Sequence, residues 1–245
     1  MEFPKGLDKS KLKQTLAVAR GDEVIAERID RFSRHFVGYP YTPFPLIGSA
    51  DTPEVFTATL DGFDCVTYIE TILALARAAD PDAFVENLRT IRYEDGRIDW
   101  RRRNHYMTRW IRNNRREGIV EPIKARGVPT ITRERVLNLL PGLPERTTKV
   151  ESIPKRSIRR LAEFLSTGDL IFFASTRPHL DTFHTGILIR DDGEPLLRHA
   201  SRSQGGVVEQ RLSEFLQSNR MAGVIVVRPC DLAGTQATVA KRVQH

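Results

Sequence analysis

Cysteine is scarce in this sequence: Cys65 and Cys230 are the only two in 245 residues. They could close at most one disulfide, which excludes a disulfide-stapled scaffold. Six histidines are scattered along the chain. None stands at zinc-ligand spacing, and His179 and His184 do not alter this, so neither a metal nor another cofactor is expected. Long apolar runs are also missing. The stretch "MEFPKGLDKSKLKQTLAVARGDEVIAERIDRF" lacks the hydrophobic segment of a signal peptide, and no later segment could span a membrane. A soluble protein is expected, periplasmic or secreted if a leader was removed and cytoplasmic otherwise. No internal repeat or low-complexity tract is present.

Acidic charge is the minority sign. Lys and Arg total 38 against 31 Asp and Glu, a net +7. The excess is concentrated in "DWRRRNHYMTRWIRNNRRE" and "KRSIRR". Such a surface favours anionic partners, a cell-wall polymer among them. A nucleic acid is not expected: the nearby aromatics recur at helical spacing, and no binding signature exists beyond charge. A solvated basic face is the plainer reading. With 40% hydrophobic residues, the chain can bury a sizeable core as one large domain or two small ones.

Residues 8–35 read as one or two amphipathic helices, with Leu12, Leu16 and Ala19 and then Val24, Ile25, Ile29 and Phe32 on apolar stripes broken near Gly21. "FVGYPYTPFPLIGS" is an extended loop. A helix begins around Cys65 and carries Val66, Ile69, Ile72, Leu73 and Ala76 along one face. A second starts at the N-cap Asp80 with Pro81 in the first turn, burying Phe84, Val85, Leu88 and Ile91. "NHYMTRWIRNN" looks helical, and the rest of 94–167 reads as an insertion of turns and short elements. From Gly168 the pattern changes to β-rich runs: "DLIFFAS", "FHTGILIR", "PLLRHAS", "GVVEQ" and "GVIVVRP". "SEFLQSNR" is a short helix with Ser213 as its cap, and 231–245 is a loose tail. Helices first and antiparallel strands afterwards make an α+β protein.

Cys65 follows Asp64 at the start of an apolar-periodic helix. A helix N-terminus and a histidine partner both lower a thiol pKa, and the free amides there can hold an oxyanion. On spacing alone, a small buried cysteine is still the commoner reading. Cys230 lacks this placement and is read as structural. His184 and His199 lie in adjacent strands flanking "DDGE". With Asp192-Gly193 as a two-residue turn, His184 faces Ser201 and His199 is one same-face position away. With Asp191-Asp192 the histidines are directly opposite. Both registers put the imidazoles on one face, whereas a three-residue loop would separate them.

Taken in order, Cys65 in "GFDCVTYIE", His184 in "FHTGILI" and His199 in "LLRHAS" resemble the NlpC-type papain-like cell-wall hydrolases. "VGYPYTP" looks like that superfamily's segment carrying a tyrosine near the nucleophile, here Tyr41. "RTIRYEDGRIDWRRRNHYMTRWIRNN" followed by "GIV" is similar to its N-acetylmuramoyl-L-alanine amidase-like branch. The resemblance covers roughly residues 35 to 230.

It implies a papain-like fold, with the nucleophile at a helix start packed on a C-terminal antiparallel sheet. The expected organisation is an N-terminal helical extension (1–34), a cysteine amidase domain (35–230) with its insertion at 94–167, and the tail. Cys65 is implied as nucleophile, His184 as base and His199 as its orienter, acting on peptidoglycan or a muropeptide. Tyr41 and Asp64 are expected at the substrate, and so are Asn104, His105 and Tyr106. Arg103 could meet a substrate carboxylate bidentately, although a solvated arginine is the commoner reading for any one member of that run. His105 is the rival base. Two other readings remain: an endopeptidase cutting the D-glutamyl–diamino acid bond, and a non-catalytic basic protein binding an anionic polymer or nucleic acid. A monomer is expected.

Overall fold

The computed structural model describes residues 3–19, 23–190 and 193–231. In chain order it has α1 (Lys9–Leu16), α2 (Ile25–His35), α3 (Cys65–Ala76), α4 (Pro81–Arg92) and α5 (Met107–Arg116). Strands β1 (Val120–Pro122), β2 (Ile131–Leu137) and β3 (Arg146–Ser152) follow, then the single turn α6 (Ile158–Leu161). The C-terminal part comprises β4 (Leu170–Ala174), β5 (Thr182–Ile189), β6 (Leu196–Ser201), β7 (Gly206–Arg211), α7 (Leu212–Ser218) and β8 (Gly223–Pro229).

Six strands form one antiparallel sheet in the order β1-β8-β4-β5-β6-β7, while β2 and β3 pair separately. Alternation along the strands splits the apolar residues between two cores. Leu170, Phe172, Ile187, Ala200 and Val207 join the helical core, and Ile171, Phe173, Leu188 and Leu197 join a second with α7. Within 94–167, α5 sends Trp110 into the helical core, tilted against Phe172, and β1 extends the main sheet.

Helix α3 is buried along nearly its whole length, packing on α2, α4, β5 and β6. Such an all-round apolar helix is a central element rather than a surface one. Its polar requirements are met locally. Arg28 of α2 donates to the carbonyls of Leu75, Ala76 and Ala78 at its C-terminal end. Glu70 on its flank accepts from Arg92 at 2.7 Å and from Trp110 at 3.2 Å, so that the buried carboxylate is paired and hydrogen-bonded.

Asp80 caps α4 through Ala83 N–H, with Pro81 at the first position, as the sequence predicts. Ser213 does not cap α7: the helix begins at Leu212 after Arg211, and the Ser213 N–H donates to Glu194. The break expected near Gly21, the turn at Asp191-Asp192 and the tail beyond Asp231 lie outside the described residues. The β5–β6 pairs Ile187–Arg198, Leu188–Leu197 and Ile189–Leu196 nevertheless match the register of an Asp192-Gly193 turn. No helix among the described residues is long and apolar enough to cross a membrane.

Candidate active site

Asp64 fixes the start of α3. Its extended backbone and short acceptor let Oδ1 take the N–H groups of Val66 (3.0 Å) and Thr67 (2.7 Å), while Thr67 Oγ1 accepts from Asp64 N–H. This is a reciprocal capping box, and it leaves Cys65 as the first helical residue. The Tyr41 loop is pressed against the same point. Thr42 N–H donates to Phe63 and Phe63 N–H to Pro40, and a Cβ on Gly62 would lie 2.9 Å from the Pro40 carbonyl. Only glycine allows that approach. It brings the Tyr41 hydroxyl under the influence of Cys65 and Asp64, which add to burial in raising its pKa.

Cys65 is free and half-buried. The expected lowering of its pKa does not prevail. Burial, and then the Asp64 carboxylate, push the thiol up to about 12, against the opposing pull of the backbone amides of Thr185, Cys65 and Val66. Desolvation of a thiolate outweighs a helix end whose Val66 amide already serves Asp64. His184 is driven the other way, down to about 3, by burial and by His199. Thiol and imidazole therefore rest neutral.

His184 Nε2 lies 2.6 Å from His199 Nδ1, and His199 Nε2 lies 3.1 Å from the amide of Gln210. Burial holds His199 down to about 4. With Nε2 of His184 engaged, Nδ1 is its remaining ring nitrogen. Nδ1 is unprotonated only if Nε2–H donates to His199, whose own Nε2–H then requires an acceptor; Gln210 turns its Nε2 to His199 and its Oε1 to Gln204, so this tautomer requires the Gln210 amide to turn over. Phe215 of α7 stacks on His184 at 5.3 Å and meets His199 edge-on, fixing both rings.

Cys65 and His184 line one cleft of about 230 Å³ with Tyr106, Met107, Leu139, Leu140 and Asp181. Tyr106 stands at φ 64, a strained conformation for a non-glycine residue, and its hydroxyl accepts from Leu139 N–H at 2.9 Å. Asp181 tethers β5 to α5, accepting from Thr108 N–H at 2.7 Å and from its hydroxyl at 2.8 Å. Among the described residues, no group of three or more His, Cys, Asp or Glu is placed to hold a metal ion.

Of the run from Arg103 to Tyr106, only Tyr106 reaches the cleft. Arg103 forms an ion pair with the buried Glu54 at 3.2 Å and covers Trp100. Asn104 is buried, bonded to Ile91 O and Asn113. His105 bonds Trp100 O at 2.8 Å, and burial with Arg103 brings it down to about 4. Sequence reading missed Gln210, Phe215 and Asp181. Gln210 had a signal: it is a polar residue closing the run "GVVEQ", on the same strand face as Val208, the partner of His199.

The model of the AmiA-like, N-acetylmuramoyl-L-alanine amidase-like family matches residues 31–224. The chain belongs to this family. Membership makes it an amidase-like hydrolase whose substrate is of the peptidoglycan type. An N-acetylmuramoyl-L-alanine amidase from Bacteroides uniformis is 27% identical over 84% of this chain and 99% of its own, with a TM-score of 0.73. A Bacteroides fragilis protein provisionally named a xylanase is 29% identical, covering 80% and 98%, with a TM-score of 0.67. A Legionella pneumophila protein shares the fold at 22% identity, covering 91% and 95%, with a TM-score of 0.80. No curated protein matches the sequence. The fold of this amidase-like chain is thus the papain-like α+β arrangement expected from the sequence.

Proposed function

We propose that the protein cleaves the amide between the lactyl group of N-acetylmuramic acid and L-alanine through a cysteine acyl-enzyme. The observation that carries this reading is the 2.6 Å hydrogen bond between His184 and His199 beside a cleft that Cys65 shares with His184. Cys65 Sγ attacks the lactyl carbonyl while His184 Nδ1 takes the thiol proton. Because both groups rest neutral, proton transfer accompanies attack instead of preceding it. The developing oxyanion lies at the amides of the α3 start, with Tyr41 beside it. His184 returns the proton to the alanine nitrogen as the C–N bond breaks, and water, deprotonated by the same nitrogen, releases the lactyl carboxylate.

A glycosidase reading, which the name of the Bacteroides fragilis protein raises, requires two carboxylates flanking the scissile bond. Among the residues lining the cleft the one carboxylate is Asp181, already bound to Thr108 and Thr182. Mass spectrometry of a defined muropeptide incubated with wild type and with Cys65→Ala tests the proposal. Intact stem peptide released by wild type alone supports it; a shortened stem would reassign the protein as an endopeptidase, and activity surviving in Cys65→Ala would refute the cysteine mechanism.

A further inference from the structure

Next to the cleft is a larger cavity of about 1000 Å³ whose wall is basic. Arg101, Arg109, Arg112, Arg146 and Lys149 line it against a single carboxylate, Glu94. Arg109 binds Glu94 at 2.7 Å, so that pair adds no net charge. Among the described residues, Arg101, Arg112, Arg146 and Lys149 have no ion-pair partner. Arg102, Arg115 and Arg116 by contrast each meet a carboxylate.

The cations also converge. Arg112 comes from α5 and Arg146 from β3, yet after burial the largest influence lowering Arg112 is Arg146, followed by Arg109. Like charges gathered around a concave space with one carboxylate among them create a field that an anion relieves. The cavity and the cleft are adjoining rooms. Tyr106 lines both, and its hydroxyl holds Leu139 of the β2–β3 tip, so a substrate with its amide at Cys65 would run past Tyr106 into the basic space.

We propose that this cavity is the subsite for the peptide half of the substrate and binds its free carboxylates through Arg112, Arg146 and Lys149. The inference rests on the amidase reading of the cleft. The two halves joined by the scissile amide differ in charge: the lactyl carboxyl is consumed in the amide, leaving the sugar half neutral, whereas the peptide half keeps its carboxylates. Charge therefore orients the substrate, peptide towards α5 and β3 and sugar towards the Tyr41 loop. Arg103, engaged with Glu54, has no part in this recognition.

The test separates binding from turnover. In full-length Cys65→Ala protein, calorimetry compares N-acetylmuramoyl-L-alanyl-D-glutamyl-diamino acid carrying free carboxylates with the same compound amidated at those carboxylates. The free acid is expected to bind about 10-fold more tightly or better, since charge-assisted bidentate contacts are the stronger class. Adding the exposed substitutions Arg112→Gln and Arg146→Gln is expected to abolish the difference without shifting the melting temperature. Equal affinity of the two compounds, a preference that survives the double substitution, or no binding of either overturns the subsite. Whether wild type releases the stem peptide is a separate readout, so loss of the amidase reading and loss of the subsite are distinguishable.

Discussion

The imidazoles of His184 and His199 are bonded Nε2 to Nδ1 at 2.6 Å, which leaves His184 a single free ring nitrogen. In the proposed mechanism that bond determines which atom acts as base and makes the second histidine an orienter. His184→Ala is expected to lower kcat about 10³-fold and His199→Ala about 10²-fold, within the range for a general base and its partner. His105→Ala, which leaves both in place, should retain far more turnover than His184→Ala. Steady-state kinetics on a muropeptide would reverse the assignment if His105→Ala proved the most damaging of the three.

Gln210 extends the chain of rings by one amide, its Nε2 3.1 Å from His199 Nε2. Gln210→Leu removes the amide that, turned over, accepts from His199 Nε2–H in the productive tautomer, so kcat should fall about 10-fold with KM little changed. Imidazole ¹⁵N shifts of His184 and His199 report the tautomer directly. Unaltered shifts together with unaltered kcat would show that Gln210 is mere packing.

The pH behaviour follows from the neutral resting pair. A base near 3 keeps His184 competent well below the ordinary histidine range, so the acid limb of kcat/KM should fall below about pH 5 instead of near 6.5. Stability has its own window. His105, His184 and His199 are held at about 4, 3 and 4 in the folded state, below their unfolded value, so the unfolded chain binds more protons as pH falls from 6.5 towards 3. Stability is full above 6.5 and declines below it, by up to about 1.4 kcal/mol per pH unit for each histidine. Denaturant titrations at pH 7 and 5 check this; equal midpoints would contradict the buried neutral state.

Asp64 has two separable effects, capping α3 and opposing the thiolate. Asp64→Asn keeps the acceptor and removes the charge, so the melting temperature should hold while iodoacetamide modifies Cys65 faster at pH 8. Asp64→Ala should cost about 1 kcal/mol of stability as the cap is lost. Slower alkylation in Asp64→Asn would indicate that the carboxylate does not govern the sulfur.

Local chemistry decided what was readable from the residues alone. Asp64 before an apolar-periodic run announces a cap, Asp80-Pro81 a second, and the alternating segments after Gly168 an antiparallel sheet, because caps and periodicity act over a few residues. The hairpin register that puts His184 and His199 on one face was open in the sequence between two-residue and three-residue turns, and the observed ladder closes it.

The sequence by itself thus determined the α+β class, the helix start at Cys65, the order of cysteine and histidines and, through them, the family. Tertiary structure alone decided the rest. It engaged Arg103 with Glu54, buried Asn104, and bound His105 to Trp100 while sending its neighbour Tyr106 into the cleft. It also raised the Cys65 thiol against its helix end and brought Arg112 and Arg146 to one cavity whose single carboxylate, Glu94, is paired with Arg109. Desolvation and ion pairing depend on which distant groups arrive at a point in space, and nothing in the nearest few residues encodes that arrival.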